Sequence, residues 1–407
     1  MKKYDLIIVG GCASGLVAAI NAKRLHPQAR IAVIEKLPRV GKKLLATGNG
    51  RCNLTNINAL SHEYKNRDFA LFALQKYSPD TVTEFFASLG LLCRADSEGR
   101  VYPRSNVASS VLDALRFEAE KLGTEMIFNT PVTDIKNKNG FIVNGEYFAD
   151  GVIIACGGKS SPSQGSDGTG YLLAQKLGHH VTELKPALVP LVAADKNAIK
   201  PLKGVRAGGV KIEIKCGDET ASSQGEILFT DSGISGIAAM ELAASICDKQ
   251  KAFTSIDFLP EMTFEELNEY IKKLRYIKEN RTLDDLLTGV IPKSLGIQIC
   301  KACGLYKSDR KIQTLSDNEC ITIARKVKNF TLEISGTKGF ADSQVTSGGI
   351  ATSEINRKTM ESRLVKHLWF TGEIIDVHGG CGGFNLQWAW ASGLLAGEMI
   401  SGDNAND

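Results

Sequence analysis

MKKYDLIIVGGCASGLVAAI, residues 1–20, decides how the rest of the chain is read. Residues 6–9, LIIV, form an apolar run of strand length, and glycines follow at once. A helical pattern then begins, with Leu16, Val17, Ala19 and Ile20 as its apolar positions. Strand, glycine turn and helix in that order make the first unit of a dinucleotide-binding sheet. The glycine fingerprint of such a unit falls on residues 10, 12 and 15. Gly10 and Gly15 are in place, but Cys12 stands where glycine normally lets the backbone approach a pyrophosphate. Residues 31–35, IAVIE, supply a second buried strand ending in Glu35, 20 residues beyond Gly15. An acid at that offset accepts hydrogen bonds from a ribose. Turn, helix, strand and acid in register mark a working motif, with Gly10, Cys12, Ala13, Ser14 and Gly15 at the phosphates. The Cys12 thiol is expected to be inert, because a neighbouring pyrophosphate opposes thiolate formation. Its Cβ costs little if the loop shifts slightly.

The bulk numbers narrow the class. A chain of 407 residues exceeds one ordinary domain. A net charge of +4 gives no reason to expect nucleic acid or a membrane surface as a partner. The N-terminus lacks the flanks of a signal peptide, and no apolar stretch approaches the ~20 residues of a membrane helix. The expected location is cytoplasmic. Ten cysteines are scattered without a disulfide framework. Cys300 and Cys303 form one C-x-x-C with no second ligand pair, so no metal site is expected.

Two later segments resemble the first strand. Residues 151–158, GVIIACGG, and 368–372, LWFTG, are apolar runs that end in glycine. Ligands in an open parallel sheet sit at such strand ends. The fold class is therefore α/β, with a Rossmann-type domain built from both chain ends, residues 1–190 and 336–407. Between them, GVKIEIK (209–215) alternates Val210, Ile212 and Ile214 with charged residues, the period of a half-exposed antiparallel strand. Residues 191–261 and 316–335 are assigned to a β-barrel-like domain. A small helical insert, 262–315, interrupts it. Thr263 with Glu266, and Ser316 with Glu319, read as capping boxes. Helices are expected over FEELNEYIKKLRYI, over TLDDLLTGV up to Pro292, and over SLGIQICKA.

The chemistry is concentrated in two stretches. RVGKKLLATGNGRCNLTN (39–56) holds lysines, glycines and small polar groups that a plain nicotinamide-binding domain does not need. A flavin dinucleotide does, because its ring extends past the pyrophosphate and takes hydrogen bonds at its edge. Asn49, Arg51 and Asn53 are candidate donors. FTGEIIDVHGGCGGFNLQWAWASGLLAGE (370–398) ends a strand in Gly372 and Glu373, places Asp376 beyond it, and leads through glycines into an apolar helix. A helix N-terminus there stabilises negative charge on a reduced flavin.

GKKLLATGNGRCNLTN, GSDGTGYLLAQKLGH, PALVPL, ILFTDSGISG and TGEIIDVHGGCGGFNLQWA together resemble the BaiN-like FAD-dependent oxidoreductases over nearly the whole chain. That family usually carries glycine at the position of Cys12. The resemblance implies FAD held by Glu35, Lys36, Lys43, the 47–53 loop with Thr47 and Gly48, Val132, the turn with Ala155 and Gly157, Asp376, and the turn of Gly382, Gly383, Phe384, Asn385 and Leu386. Some members resemble reductases of unsaturated 3-oxo bile-acid steroids, and others aminoacetone oxidases.

The expected function is reduction of a carbon–carbon double bond conjugated to a carbonyl, with FAD as cofactor and NAD(P)H as transient electron donor. A flavin amine oxidase and a non-catalytic flavin-binding redox sensor are the alternatives. His378 and Arg104 are the candidate catalytic residues. The expected partner is a small-molecule substrate, and the sequence leaves the oligomeric state open.

Overall fold

The computed structural model describes residues 1–62, 64–245, 251–305 and 309–398. The chain forms two compact units, Met1–Pro186 with Ser343–Asp407, and Ala187–Asp342. The seams lie a few residues outside the barrel boundaries expected at 190/191 and 335/336. The reason is that Phe330–Thr337 pairs with Leu191–Ala193, and the Lys338 N–H donates to the Pro190 carbonyl. Both flanks thereby stay with the barrel.

The first unit is a Rossmann-type sheet. Strand β1 (Lys2–Val9) is followed by helix α1 (Ala13–Leu25) and strand β2 (Ile31–Ile34). β1 lies between β2 and β3 (Tyr147–Ile154), parallel to both, with Val9 level with Ile34 and Ile154. Glu125–Ile127 pairs with the far side of β2. β3 is shared at its other edge. Its first half pairs with the antiparallel hairpin strand Phe141–Val143, and its last three residues pair in parallel with β4 (Leu368–Phe370). Strands buried on both faces need continuous apolar runs, and Ile7, Ile8, Val33, Ile153, Ile154 and Phe370 are all inaccessible to solvent. Each contributes about 1.5–3 kcal/mol by leaving water. Helix α2 (Phe384–Gly397) packs on α1. It is apolar nearly all round and accordingly buried nearly all round.

The parallel strands end at one edge, and each runs into the residues singled out in the sequence. β1 leads to Gly10, β2 to Glu35, β3 to Ala155 and Gly157, and β4 to Gly372. Gly10 has φ +107°, and a Cβ on it would stand 2.5 Å from the Ala155 carbonyl oxygen. A Cβ on Gly15 would stand 2.0 Å from the Gly10 carbonyl oxygen.

The second unit is a closed six-stranded antiparallel barrel with helices. Its strand order is Leu191–Ala193, Gly233–Ser235, Glu219–Phe229, Arg206–Cys216, Ala252–Asp257, Phe330–Thr337. Val210, Ile212, Ile214 and Cys216 face its core, while Lys211, Glu213 and Lys215 are exposed. Both capping boxes form, at the starts of Phe264–Ile277 and Asp317–Lys328. The helix expected over TLDDLLTGV does not. Only a single 3₁₀ turn is present, Leu283–Asp285. Thr282 bridges to Lys311, and Gly289 takes φ +88°, so the backbone leaves helical geometry on both sides. Pro292 does not end a helix; it caps the N-terminus of Lys293–Ala302. The C-terminal residues from 399 lie outside the described part of the chain.

Gly15→Ala tests the contact that orients α1. A methyl group 2.0 Å from a main-chain oxygen forces the helix away from β1. Urea denaturation should show a loss of about 1–3 kcal/mol, as for other overpacked sites, together with loss of flavin binding. A variant as stable as the wild type would show that α1 does not depend on this contact.

Candidate active site

The site is the carboxyl edge of the sheet. Two helix N-termini open there, and neither is capped by a side chain. The Cys12 side chain makes no capping hydrogen bond to α1, and the first turn of α1 carries no acid. Gly383, with φ +102°, precedes α2, whose first turn also lacks an acid. The leading N–H groups of a helix have no partner within it, and the helix dipole adds positive potential. Two such ends are built to receive anionic or strongly accepting groups.

Cys12 answers the question raised by the fingerprint. Its φ is −111° and ψ −154°, an extended conformation open to any residue. Glycine is therefore needed at Gly10 for its positive φ and at Gly15 for want of room for a Cβ, but not at position 12. Burial pushes the Cys12 thiol pKa up, which keeps it protonated. Glu35 is buried, and its carboxylate braces the turn. One oxygen accepts the Gly11 N–H at 2.9 Å and the other the Leu37 N–H at 3.0 Å. Each oxygen retains acceptor capacity for a ribose hydroxyl. The Thr130 N–H donates to the Glu35 carbonyl, which keeps the half-buried Val132 near the end of β2. Lys36 pairs with Asp167 at 2.8 Å.

The 47–53 loop is strained. Asn49 (φ 56°) and Cys52 (φ 57°) take left-handed conformations, as do Gly48 and Gly50. For the non-glycine residues Asn49 and Cys52 this costs of order 1–3 kcal/mol each, and their surroundings hold them there. Here the Thr47 hydroxyl donates to the Leu44 carbonyl, and the Thr47 carbonyl accepts the Cys52 N–H. Arg51 is exposed; its Nε–H donates to the Gly48 carbonyl, and its guanidinium lies 4.7 Å from the Tyr102 ring centre. Asn53 is buried, and its Oδ1 has no hydrogen-bond partner. A Cβ on Gly383 would meet that same oxygen at 2.8 Å. An unpaired buried amide oxygen beside an uncapped helix end points to a ligand group between them.

After β4, Gly372 (φ +74°) turns the chain. Its N–H donates to the Ser392 hydroxyl, and its carbonyl accepts the Trp388 indole N–H. A Cβ there would stand 2.8 Å from the Ser14 hydroxyl oxygen, so this turn abuts α1. Glu373 bonds Lys43 Nζ and the Thr346 N–H, both at 2.8 Å. Asp376 is buried with both oxygens engaged, Oδ1 by Gly348 N–H and Lys65 Nζ, Oδ2 by the Thr182 hydroxyl. In the turn itself, the Asn385 amide accepts the Gly379 N–H and donates to the Gly379 and Gly380 carbonyls. Asn56 Nδ2 donates to the Gly382 carbonyl. Gly383, Phe384 and Leu386 open α2.

The two candidate catalytic residues part company. His378 lies in this turn, half-buried, with Nδ1 buried and unpartnered. Burial pushes its pKa down, with the Lys65 charge acting in the same direction, so the ring is neutral at neutral pH. Arg104 is exposed just past strand Arg100–Pro103, where its N–H donates to the Leu92 carbonyl. Sequence reasoning missed the segment that faces the turn. The Lys65 N–H donates to the His378 carbonyl, and Asn66 Nδ2 to the Asp376 carbonyl. Thr182 and Thr346 were missed too. None of these carries a local motif. Among the described residues, no cluster of His, Cys, Asp and Glu is arranged to hold a metal.

These residues fit a flavin dinucleotide: an uncapped helix end suited to a phosphate, an acid suited to a ribose, and a second helix end beside an orphaned amide. The fold and site define a Rossmann-type flavin oxidoreductase. The chain belongs to the family described as HI0933-like protein Rossmann domain, whose model matches residues 4–399. The expected BaiN-like, FAD-dependent membership is thereby met. The chain is 38% identical over 408 residues to a 3-dehydro-bile acid delta(4,6)-reductase of Clostridium scindens, covering 97% of this chain and 98% of that one. It is 28% identical over 398 residues to a ribosomal RNA dihydrouridine synthase of Escherichia coli, covering 96% of each. Among solved structures, a 3-ketosteroid delta1-dehydrogenase from Sterolibacterium denitrificans aligns with a TM-score of 0.50 at 13% identity, covering 98% of this chain and 99% of that chain, a likeness of fold alone. The protein is a FAD-dependent oxidoreductase. No helix among the described residues is long and apolar enough to cross a membrane.

Two predictions follow from this geometry. Cys12→Gly should leave FAD affinity unchanged or slightly tighter, because only a Cβ and a buried neutral thiol are removed. Added chain entropy should lower stability by roughly 0.5–1 kcal/mol. Titration of apo-protein with FAD and a urea melt check both, and loss of turnover with FAD still bound would contradict an inert thiol. The second concerns His378. In the unfolded chain an imidazole ionises near ~6.5, whereas here it resists protonation. Stability should therefore be flat above that pH and fall as pH drops from about 6.5 toward the lowered folded value. Buried His179, also shifted down, shares the effect. His378→Gln should remove part of this acid sensitivity, read as the change in urea midpoint between about pH 7 and pH 5. Unchanged sensitivity would mean the ring is not buried neutral.

Proposed function

We propose that this protein reduces a carbon–carbon double bond conjugated to a carbonyl in a 3-oxo steroid of the bile-acid kind, with NAD(P)H as a transient donor. The observation that carries this reading is the relation to the bile-acid reductase, at 38% identity over 97% of the chain. The chemistry of the second relative supports the reaction type. Making dihydrouridine saturates a ring double bond that is also conjugated to a carbonyl. Bound FAD supplies hydride transfer. The chain's own residues do the rest. The α2 N-terminus and its glycine turn stabilise negative charge on the cofactor. Glu35 and the α1 N-terminus hold the adenosine and phosphate end. Neutral His378 is assigned the substrate oxygen, to which a ring N–H donates as negative charge develops there.

The segments that could have formed a second nucleotide fingerprint, Ala155–Gly157 and Gly372–Glu373, sit at the ends of β3 and β4 in the same sheet as β1. Donor and substrate are therefore taken to visit one site in turn. We expect ping-pong kinetics, with parallel lines when rates are measured at several donor concentrations. Intersecting lines would mean a separate donor site.

The deciding experiment is anaerobic. Chemically reduced protein is mixed with 3-oxo-4-ene and 3-oxo-4,6-diene steroids, a saturated 3-oxo steroid, and a uridine-containing RNA, and flavin absorbance is followed. Recovery of oxidised flavin with the enones alone is the expected result. Recovery with RNA alone would favour the second reading, a reductase of uracil in RNA, which rests on the 28% identical relative. Bleaching of the oxidised protein by aminoacetone, with peroxide formed in air, would overturn the reductase reading in favour of an oxidase.

A further inference from the structure

We propose that His62 is a positioning residue for the flavin: it fixes the glycine turn that opens α2, and so sets the affinity and reduction potential of the bound cofactor. The inference rests on the flavin reading and adds to it a residue outside the motifs and more than 300 residues from the turn it contacts. His62 Nε2 accepts the Gly380 N–H at 2.9 Å, which requires the lone pair on Nε2 and the proton on Nδ1. The same ring stacks on Phe384, the first residue of α2, with centroids 3.6 Å apart and planes 6° from parallel. Tyr64 closes the arrangement. Its ring meets His62 edge-on at 5.6 Å, and its hydroxyl donates to the Phe384 carbonyl at 3.1 Å. One imidazole therefore grips the turn at two points, before and after the glycines.

Between those points the glycines themselves offer no side chain to hold the turn, which depends on contacts from its neighbours. Gly382 has φ +121° and Gly383 φ +102°, the backbone freedom of glycine used twice in succession. Asn385, the second residue of α2, ties the helix to Gly379 and Gly380, and Asn56 fixes the Gly382 carbonyl. His62 adds a second link from Gly380 to the start of α2, through the Phe384 ring, and so helps set where the leading N–H groups of α2 point. Those groups stabilise negative charge, so a change in their direction affects the reduced cofactor more than the oxidised one.

Two variants separate positioning from plain structural support. His62→Phe keeps the stack and loses the acceptor. His62→Gln keeps an acceptor and loses the ring. For each, apo-protein is titrated with FAD, the midpoint potential is measured by equilibration with a reference dye, and the melting temperature of the apo-protein is recorded. His62→Phe should weaken FAD binding about tenfold for the reduced form relative to the oxidised, a shift of about 30 mV to more negative potential for a two-electron couple. His62→Gln should shift it in the same direction by less, and decides the matter if His62→Phe does not fold. Lower melting temperatures with wild-type affinity and potential would overturn the proposal and leave His62 a structural residue. Wild-type protein that binds no FAD would instead overturn the flavin reading itself.

Discussion

Main-chain contacts at Gly10 and Gly15 hold the site together. With a Cβ on Gly15 only 2.0 Å from the Gly10 carbonyl oxygen, and one on Gly10 only 2.5 Å from that of Ala155, the first turn of α1 lies directly on the ends of β1 and β3. The same economy of space governs α2. A Cβ on Gly393 would meet the Ser14 carbonyl oxygen at 2.4 Å, and one on Gly397 the Ala18 carbonyl oxygen at 2.7 Å. Small residues four apart let the two helices pack backbone to backbone. In this parallel register their uncapped N-termini point the same way, with α2 beginning about 13 Å ahead of the level of Ser14, although some 370 residues of chain separate Cys12 from Gly383.

That closeness explains how the charged groups are arranged. Glu35 braces the Gly11 N–H, Glu373 joins Lys43 to the strand end, and Asp376 gathers Gly348, Lys65 and Thr182. Each acid is tied to N–H donors or a lysine, and none lies in the first turn of either helix. An acid there would occupy the N–H groups and cancel the positive potential that the site offers. At this edge, the Asn53 amide oxygen, the Thr371 hydroxyl and His378 Nδ1 are buried and unpaired among the described residues. Unmet buried groups are costly, and they persist where a ligand satisfies them.

Much of this was legible in the chain. Apolar strand, glycine turn and acid in register led to the sheet, and the alternation of Val210, Ile212 and Ile214 led to the barrel. Both follow from short-range periodicity, which a linear reading detects. The helix expected over TLDDLLTGV failed because Gly289 and the pairing of Thr282 with Lys311 overrode local propensity. His62, Tyr64, Lys65 and Asn66 escaped because their partners in the turn, residues 376–384, lie about 310–320 residues away and their own segment has no repeating pattern. Cys12 departs from the fingerprint without backbone strain, because its φ of −111° is open to any residue, and a one-letter fingerprint does not record φ.

The central claim is that two uncapped helix ends and the acid at Glu35 form a site for a whole flavin dinucleotide. The most direct test is to reconstitute the purified protein, remove unbound flavin, precipitate with acid, and identify and count what is released. One FAD per chain, with no colour left in the pellet, is the predicted result. FMN in its place, or no retained flavin, would contradict the account.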